Sequence, residues 1–440
     1  MKIDALFLRD EGQLDPTFGE GGLVLLKGPD EPGDNISPRG MAVDSAGRFY
    51  VCGSIRTSTR RFAYYCVRLK ASGAIDPTFG QAGYVIAEFV QNNGGRAYSQ
   101  INEVVELRDG KLLLIGNYHD GTFNTWKGLI RLHPDGSPDQ TFGKSGTVLI
   151  ALGSIGEEQD DSFGSLHSSS MARTTGNSAI LPDGKILLHE LIYDGIEETQ
   201  TAIIRLTPDG VLDPDFNESG IVWVAHPDFT HTQVTDILLA DDGKYVLVGN
   251  CQEMYIPHAR ALFTRLHSTG KTDTSFADNG YLLIEPLSGE MNFLMENLVK
   301  QTNKRLLGIG YTSDEDDCGL LISRESDGSA NIQFNRGKPL LVKLGDRETS
   351  WHNACVQKDG SILVYGHLYG PGQVVVAKFT DAGVLDNTFG GGKGWLQFSV
   401  SPAGMASALF TDDTLLFFGA ATVDGQQVPC VARGLIAQKV

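Results

Sequence analysis

The sequence predicts an all-β protein built from seven copies of a four-stranded antiparallel unit. The first observation is a recurring phrase close to Leu-Asp-Pro-Thr-Phe-Gly, which an apolar run follows. The second is an Asp-Gly turn leading into another apolar run, and the third is an Arg-Leu segment that ends at a Gly. No helical period of useful length competes with these strand signals. The phrase places its Phe at Phe18, Phe79, Phe142, Phe216, Phe276, Phe334 and Phe389.

Successive Phe residues of this phrase are 61, 63, 74, 60, 58 and 55 positions apart. A unit of this length cannot bury its apolar face alone, so neighbouring units must stack. Length alone would suggest two or three domains for 440 residues. The unbroken array instead predicts a single domain over residues 1–440.

Each part of the repeat predicts one element. The Asp-Gly pair, clearest at 109–116, predicts a hairpin between the first and second strands, because Gly accepts the positive φ of a tight turn. The Arg-Leu segment, as in 67–73, is the third strand. The Asp-Pro-Thr-Phe-Gly phrase is a compact turn, with Pro fixing φ and Asp capping amides, and a short fourth strand such as 83–87 follows it.

The two ends of the chain predict closure. The chain begins with the remnant of a third strand and ends after a third strand, 431–435, that no fourth strand follows. Residues 22–26 are therefore expected to complete the last unit. Four strands repeated seven times around a ring form a seven-bladed β-propeller, closed here by its N-terminal strand. The predicted blades are 36–90, 98–152, 176–226, 232–286, 292–344, 350–399, and 402–440 completed by 20–27.

Composition excludes several partners and locations. A net charge of −18, from 54 acidic and 36 basic residues, opposes binding to nucleic acid or anionic lipid. No apolar run approaches the length of a membrane span, and none at the N-terminus resembles a signal peptide. Six cysteines without a C-x-x-C pair are interpreted as reduced thiols. We expect a cytoplasmic protein, or one exported by a route without a cleavable signal peptide.

The phrase at Leu14–Gly19, the Asp-Gly-Lys hairpins and the Arg-Leu-x-Pro-Asp-Gly strand ends resemble the delta-60 repeat family of bacterial β-propeller proteins. The resemblance covers nearly the whole chain and is most specific in the first four units. It weakens later, where Asn331 and Asn303 replace motif residues. It implies a propeller with no assigned biochemical role, and it supplies no catalytic motif to transfer.

Repeated charged residues are interpreted as scaffold. Arg68, Arg131, Arg205 and Arg265 each precede a turn Asp, which predicts an ion pair within the repeat rather than an anion site. The acidic runs 157–161 and 313–317 are expected to be solvated loops, with weak calcium binding as the alternative. His226 and His231 are expected to be loop residues, with a zinc site as the alternative. The sequence carries neither a Gly-x-Ser-x-Gly nor a His-Glu-x-x-His motif, so no catalytic residue, metal ligand or cofactor is predicted.

Function is expected where the repeats differ. The connections 27–39, 89–101 and 151–177 are long, join successive blades and should cluster on one face. Neighbouring loops at 55–64 and 118–127 carry the Arg and aromatic residues that often anchor interfaces. The hypothesised contact residues are Arg60, Arg61, Tyr64, Tyr118, Phe123 and Trp126.

These observations lead to three hypotheses about function. The first is a non-enzymatic scaffold that binds a protein partner across this variable face. The second is a carbohydrate-binding propeller that stacks sugar rings on Trp126, Tyr118, Trp351 and Trp223. The third is a hydrolase or lyase at the central channel, using carboxylates and a histidine drawn from several blades.

Overall fold

The protein is all-β, as the sequence predicts, with 57% of its described residues in strands and 3% in helices. Its described strands group into seven repeat units, which we number 1 to 7. Three short 3-10 helices are present in this part of the chain, at Thr302–Lys304, Asn335–Gly337 and Gly390–Gly392. The computed structural model describes residues 12–29, 35–56, 62–90, 97–121, 124–154, 178–194, 198–253, 256–287, 291–313, 317–369, 373–402, 407–411 and 413–436.

The strands have these bounds. The first strands of units 1 to 7 are β2 (Asn35–Val43), β6 (Tyr98–Glu106), β10 (Ala179–Ile180), β14 (His231–Leu239), β18 (Asn292–Lys300), β22 (Thr349–Val356) and the pieces β26 (Ser401–Pro402) and β27 (Ala408–Phe410). The second strands are β3 (Phe49–Arg56), β7 (Leu112–His119), β11 (Ile186–Asp194), β15 (Tyr245–Glu253), β19 (Leu306–Ser313), β23 (Ile362–Leu368) and β28 (Thr414–Val423). The third strands are β4 (Phe62–Leu69), β8 (Asn124–Leu132), β12 (Glu198–Leu206), β16 (Ile256–Leu266), β20 (Gly319–Arg324), β24 (Gln373–Phe379) and β29 (Gln426–Leu435). The fourth strands of units 1 to 6 are β5 (Tyr84–Ala87), β9 (Thr147–Ser154), β13 (Ile221–Val224), β17 (Tyr281–Ile284), β21 (Leu340–Val342) and β25 (Trp395–Phe398), and β1 (Leu23–Leu25) takes the corresponding place in unit 7.

Within each unit, consecutive strands pair antiparallel. The Asp-Gly hairpins form where they were predicted: Gly110 has φ of 79° and donates its N–H to Leu107 O at 2.9 Å. A single parallel residue pair, Phe62 with Tyr98, links unit 1 to unit 2. A second such pair, Thr199 with His231, links unit 3 to unit 4. Among the helices in the described ranges, none has the length and apolar character needed to span a bilayer.

The hydrophobic core is divided into clusters that lie between successive units. Leu113 and Ile115 of unit 2 pack with Ile186 and Leu188 of unit 3, for example. The alternation of side chains along a strand directs one apolar set toward the preceding unit and the other toward the following unit. A corresponding cluster joins unit 7 to unit 1 and contains Phe418 and Phe49. Burial of apolar surface therefore stabilises the contacts between units as well as the sheets themselves.

The repeated Arg and Asp residues form the ion pairs predicted from the sequence. The distances from Arg Nε to Asp Oδ2 are 2.9 Å for Arg68–Asp76, 2.7 Å for Arg131–Asp139, 2.7 Å for Arg205–Asp213 and 2.7 Å for Arg265–Asp273. Each guanidinium also lies over the Phe of the same phrase, with Arg131 4.6 Å from the centre of the Phe142 ring. Burial alone raises the pKa of Asp139, but hydrogen bonds, including those from Thr141, Lys111 and Arg131, outweigh it and lower that pKa.

The same arginines connect each unit to the next. Arg68 donates to Pro134 O at 2.5 Å and Arg131 donates to Pro208 O at 2.6 Å, each across the boundary between units. We call this arrangement the arginine clamp: one Arg bound to the Asp and the Phe of its own phrase and to a turn carbonyl of the following unit. The guanidinium joins successive units by hydrogen bonds at its edge, while its face lies over the Phe ring.

The N-terminal segment supplies the clamp of unit 7. Arg433 on β29 forms an ion pair with Asp15 at 2.8 Å, lies 4.6 Å from the centre of the Phe18 ring and donates to Ala71 O of unit 1 at 2.8 Å. Strand β1 pairs antiparallel with β29, with Leu23 opposite Ala432. Residues from the two ends of the chain thus occupy one unit.

Unit 5 departs from this pattern. Asn331 stands at the position of the clamp Asp, and it donates to Ser323 Oγ at 2.9 Å. Arg324 is 8% exposed, and its Nε has no hydrogen-bond partner in the described part of the chain. Burial lowers the pKa of the Arg324 guanidinium. The clamp Arg itself is replaced by Ser323, which lies opposite Leu307 as Arg131 lies opposite Leu113. Arg324 occupies the next strand position, which is Leu132 in unit 2, so unit 5 lacks both charged members of the clamp.

A carboxylate at residue 331 is expected to destabilise the protein. The substitution Asn331→Asp should lower the free energy of unfolding by about 1–3 kcal/mol, because residue 331 is fully buried and faces Ser323 where the other units have the clamp Arg. Denaturant unfolding measures the change. The reciprocal control Asp139→Asn should also lower it, by about 3–5 kcal/mol, because it leaves Arg131 buried without its carboxylate. An Asn331→Asp protein at least as stable as the parent contradicts the prediction.

Candidate functional site

The first strands of successive units contact one another, which places them on the inner side of the array. In five units the pairing of the first and second strands shifts by one residue at equivalent places. A β-bulge of this kind changes the direction of a side chain and often lies beside active sites. The bulged residues are Arg39, Asn102, Thr235, Glu296 and His352.

The residue after the bulge bonds to the next unit. The Glu103 carboxylate accepts hydrogen bonds from Ser178 N at 3.0 and 3.1 Å and from Ser178 Oγ at 3.0 Å. Asp236 accepts from Leu298 N at 2.7 Å in the same way. Burial raises the pKa of Glu103 to about 7, although the bonds from Ser178 favour its ionised form. We interpret these residues as structural links along the inner strands.

The bulge of unit 6 lies in a cluster of imidazole and phenol rings. The ring of His352 lies 4.7 Å from that of His367 and 6.4 Å from that of Tyr365, measured between centroids. On the side of unit 5, the Tyr311 ring is 5.9 Å from His352. Ser350 Oγ is 3.0 Å from His352 Nε2, and Tyr365 Oη is 3.2 Å from His367 Nε2. We call these five residues the histidine cluster.

The members of the histidine cluster differ in exposure and in proton affinity. Tyr365 and Ser350 are fully buried, whereas His352 and His367 retain partial exposure. Burial lowers the pKa of His367 to about 4 and raises that of Tyr365 above its ordinary value. At neutral pH, His367 is therefore an uncharged imidazole and Tyr365 an uncharged phenol. The cluster offers groups that can accept, hold and return a proton.

Only a weak sequence signal marks this cluster. His352 and His367 interrupt apolar strands at positions where most other units have different residues. Their proximity depends on pairing between strands and on the bulge, neither of which a motif records. Among the described residues, no group of three or more His, Cys, Asp or Glu side chains is arranged to hold a metal ion.

The hypothesised contact residues have varied surroundings. Tyr64 is 6% exposed and packs 5.3 Å from the Phe89 ring, while Tyr118 is 5% exposed and lies 5.4 Å from Trp126. Trp126 itself is partly exposed. The remaining members of the set, Arg60, Arg61 and Phe123, lie outside the described residues.

Other sequence candidates can also be placed. Trp351 is fully buried and therefore unable to stack on a sugar, whereas Trp223 is 48% exposed. His226 packs between Phe229 and Tyr281, each 4.9 Å away, and His231 Nδ1 lies 2.9 Å from Thr199 Oγ1, so the two histidines have separate contacts. The acidic run 157–161 lies outside the described residues, as does most of 313–317.

A family model described as "Domain of unknown function (DUF5122) beta-propeller" matches residues 107–142, 181–216 and 357–389. These segments run from the first hairpin of units 2, 3 and 6 to the Phe of the repeated phrase. The match supports a β-propeller family without singling out the delta-60 repeat family. No curated protein matches this chain.

Solved structures are similar in fold. That of the polysaccharide lyase Uly1 covers 99% of this chain and 100% of its own, with a TM-score of 0.50 and 9% identity. A protein of unknown function from Dyadobacter fermentans covers 76% and 93%, with a TM-score of 0.44 and 11% identity. An α-L-arabinofuranosidase from Fusarium graminearum covers 75% and 91%, with a TM-score of 0.42 and 13% identity.

The expectation of a non-enzymatic scaffold for a protein partner is corrected by these comparisons. The structure of a polysaccharide lyase matches almost the full length of both chains, so this fold accommodates an enzyme as well as a scaffold. The repeated residues build the fold, and they do not distinguish the two roles.

The histidine cluster predicts a dependence of stability on pH. The pKa of His367 is about 4 in the folded protein and about 6.5 in an unfolded chain, so the unfolded chain binds more protons between these values. The associated stability is present above pH 6.5 and is lost as the pH falls toward 4.

The substitution His367→Phe should remove the loss of stability that comes from protonation of His367. The free energy of unfolding should therefore fall less steeply between pH 6.5 and 4 than in the parent. Urea unfolding across this range measures the slope. His133→Phe, at a histidine whose side chain is 44% exposed, is the control and should flatten the slope less than His367→Phe does, because burial is what lowers the pKa of His367. Identical slopes for His367→Phe and the parent would contradict the neutral, buried state of His367.

Proposed function

We propose that this protein is a carbohydrate-active β-propeller enzyme that cleaves a polysaccharide by elimination at a uronate residue. The observation that carries the proposal is the adjacent pair His352 and His367, with ring centroids 4.7 Å apart, supported by Tyr365 and Ser350 of unit 6. The likeness to a polysaccharide lyase along the whole chain supports a fold suited to this activity.

Elimination requires the chemistry that these side chains supply. A base removes the proton from the carbon beside the uronate carboxylate, and the electron pair of that C–H bond forms a C=C bond as the bond to the glycosidic oxygen breaks. The departing oxygen then takes up a proton. The step consumes neither water nor an oxidant, and a neutral imidazole is a suitable base near neutral pH.

The geometry assigns different roles to the cluster members. His352 lies at the bulge and is partly exposed, so we assign it the proton transfer with substrate. Ser350 orients its ring through Nε2. His367 and Tyr365 are hydrogen-bonded to each other and their rings lie beside that of His352, so we assign them positioning roles. Hydrolysis of a glycosidic bond ordinarily uses two carboxylates, whereas this cluster gathers imidazole, phenol and hydroxyl groups.

We further propose that the seven units close into a ring as a single domain, with β1 as the outer strand of the last blade, and that the repeats place the chain in the delta-60 repeat family. Three contacts support closure: the pairing of β1 with β29, the cluster that joins units 7 and 1, and the Arg433 clamp onto Ala71. In a closed ring the inner strands surround a central channel, and His352 faces it.

Closure predicts that the Arg433–Asp15 pair couples as strongly as an internal clamp. Replacing Arg433 and Asp15 with Ala, singly and together, should give a coupling free energy of about 1–3 kcal/mol in unfolding experiments. The matched cycle at Arg131 and Asp139 provides the reference. A coupling near zero at Arg433 and Asp15, beside a normal reference value, would falsify the closed ring.

The proposed activity predicts a specific product. Incubation with a panel of acidic polysaccharides should give unsaturated uronate ends, detected by their ultraviolet absorbance. His352→Ala should lower kcat by about 10²–10⁴-fold, since it removes the acid and base. His133→Ala, at an exposed histidine, is the control and should retain activity.

Two results would count against the elimination reaction. New reducing ends without unsaturated products would indicate hydrolysis, and an active His352→Ala protein would place the chemistry elsewhere. Melting temperatures of both variants establish that folding is preserved.

A further inference from the structure

We propose that a second site, between units 2 and 3, binds hydroxyl groups of a neutral sugar ring through Gln100, Asn102, Asn117, Lys127 and Glu190. The inference deepens the proposed function, because it assigns a binding subsite for the same class of polymer away from the histidine cluster. We call these five residues the amide chain.

The site originates in a break of the repeat. The fifth residue of the second strand is Gly in units 1, 2, 4, 5 and 6: Gly53, Gly116, Gly249, Gly310 and Gly366. A Cβ at any of these positions would lie only 1.8 to 2.0 Å from a carbonyl oxygen of the first strand. In unit 3 the fifth residue is Glu190, and the described first strand, Ala179–Ile180, pairs only with Leu187 and Ile186.

Glu190 bonds across the boundary to unit 2. Its Oε2 is 2.7 Å from Lys127 Nζ, and its Oε1 accepts from Asn117 Nδ2 at 2.7 Å. The Lys127 side chain is 5% exposed and that of Glu190 is 13% exposed. Because the ammonium and the carboxylate neutralise each other, the pair presents polarity without net charge.

Each amide group of the amide chain donates its N–H to the oxygen of the next member, from Gln100 to Glu190. Asn117 Oδ1 accepts from Asn102 Nδ2 at 2.8 Å, and Asn102 Oδ1 accepts from Gln100 Nε2 at 2.7 Å. Gln100 is 1% exposed, and its Oε1 has no partner within the described part of the chain. A buried carbonyl oxygen without a donor costs about 1–3 kcal/mol, so the chain ends in an acceptor that requires a donor.

A sugar hydroxyl meets these requirements. It donates to an acceptor such as Gln100 Oε1 and accepts from amide or ammonium groups, and it carries no charge that would disturb the Lys127–Glu190 pair. An anionic ligand is disfavoured, because Glu190 already neutralises Lys127. Asn102 is also the bulged residue of unit 2, so the amide chain begins on the same inner side as His352.

The test measures binding in the His352→Ala protein, so that turnover does not interfere. Calorimetric titration with neutral monosaccharides and with oligosaccharides compares this background with Gln100→Leu, which removes the unpartnered oxygen together with the Nε2 donor to Asn102 Oδ1. Loss of one hydrogen bond should raise the Kd by about 2- to 10-fold. Glu190→Gly, which restores the residue of the other units, should raise it further.

His189→Leu is the matched control. His189 precedes Glu190 on the same strand and has two unpartnered ring nitrogens, but it lies opposite Ile203 in the core shared with unit 4. This substitution should leave the Kd unchanged, and melting temperatures report folding in every variant.

Each outcome decides the proposal. A selective loss of affinity in Gln100→Leu supports the subsite. Equal affinity in Gln100→Leu and its background, or no binding of any neutral sugar, overturns it and leaves the acceptor to internal water. Binding that depends on Gln100 in a protein with no elimination activity retains the subsite and refutes the proposed reaction.

Discussion

The arginine clamp is the interaction on which the remaining structure depends. Each clamp fixes an Arg against the Asp and Phe of its own turn, and one further N–H reaches the turn carbonyl of the next unit. A planar guanidinium with several fixed donors can satisfy all three partners, which an ammonium group cannot do in the same geometry. The angle between successive units is therefore set by a bonded group as well as by apolar packing. The same arrangement at Arg433 draws the two ends of the chain together, although its Asp and Phe lie more than 400 residues away in sequence.

The clamp is weakest near the histidine cluster. Unit 5 carries Asn331 in place of the carboxylate, and unit 6 replaces the Arg with Lys378, whose Nζ lies 3.6 Å from Asp386. An ammonium at that distance provides a less directional link than a guanidinium at 2.7 Å. Units 5 and 6 also supply Tyr311, His352 and His367. The proposed chemistry thus lies where the repeat has diverged, which agrees with the general observation that functional sites depart from local rules of stability.

Much of the fold could be predicted from the sequence because its determinants are local and repeated. The Asp-Gly hairpins, the Arg–Asp pairs and the strand at 23–25 all follow from motifs that recur at a fixed spacing. The candidate site could not be predicted in this way. His352 reaches His367 only because a bulge follows Trp351, and a bulge leaves no mark in a sequence pattern. The hypothesised contacts Tyr64 and Tyr118 were chosen for their residue type. In the structure Tyr64 packs in the cluster between units 1 and 2, and Tyr118 packs beside Trp126 of its own unit.

The glycine of the second strand shows how a repeat can indicate a site by its exceptions. Gly is required there in five units because the first strand passes within about 2 Å of where a Cβ would lie. Unit 3 has Glu190 at this position, and it directs a carboxylate into the boundary with unit 2. In unit 2 itself Gly116 keeps the ordinary arrangement, and this brings Gln100 and Asn117 side by side on paired strands. The amide chain therefore needs both states of the position: glycine in unit 2, so that its two strands stay close, and a charged residue in unit 3, which bonds to Asn117 and Lys127 across the boundary.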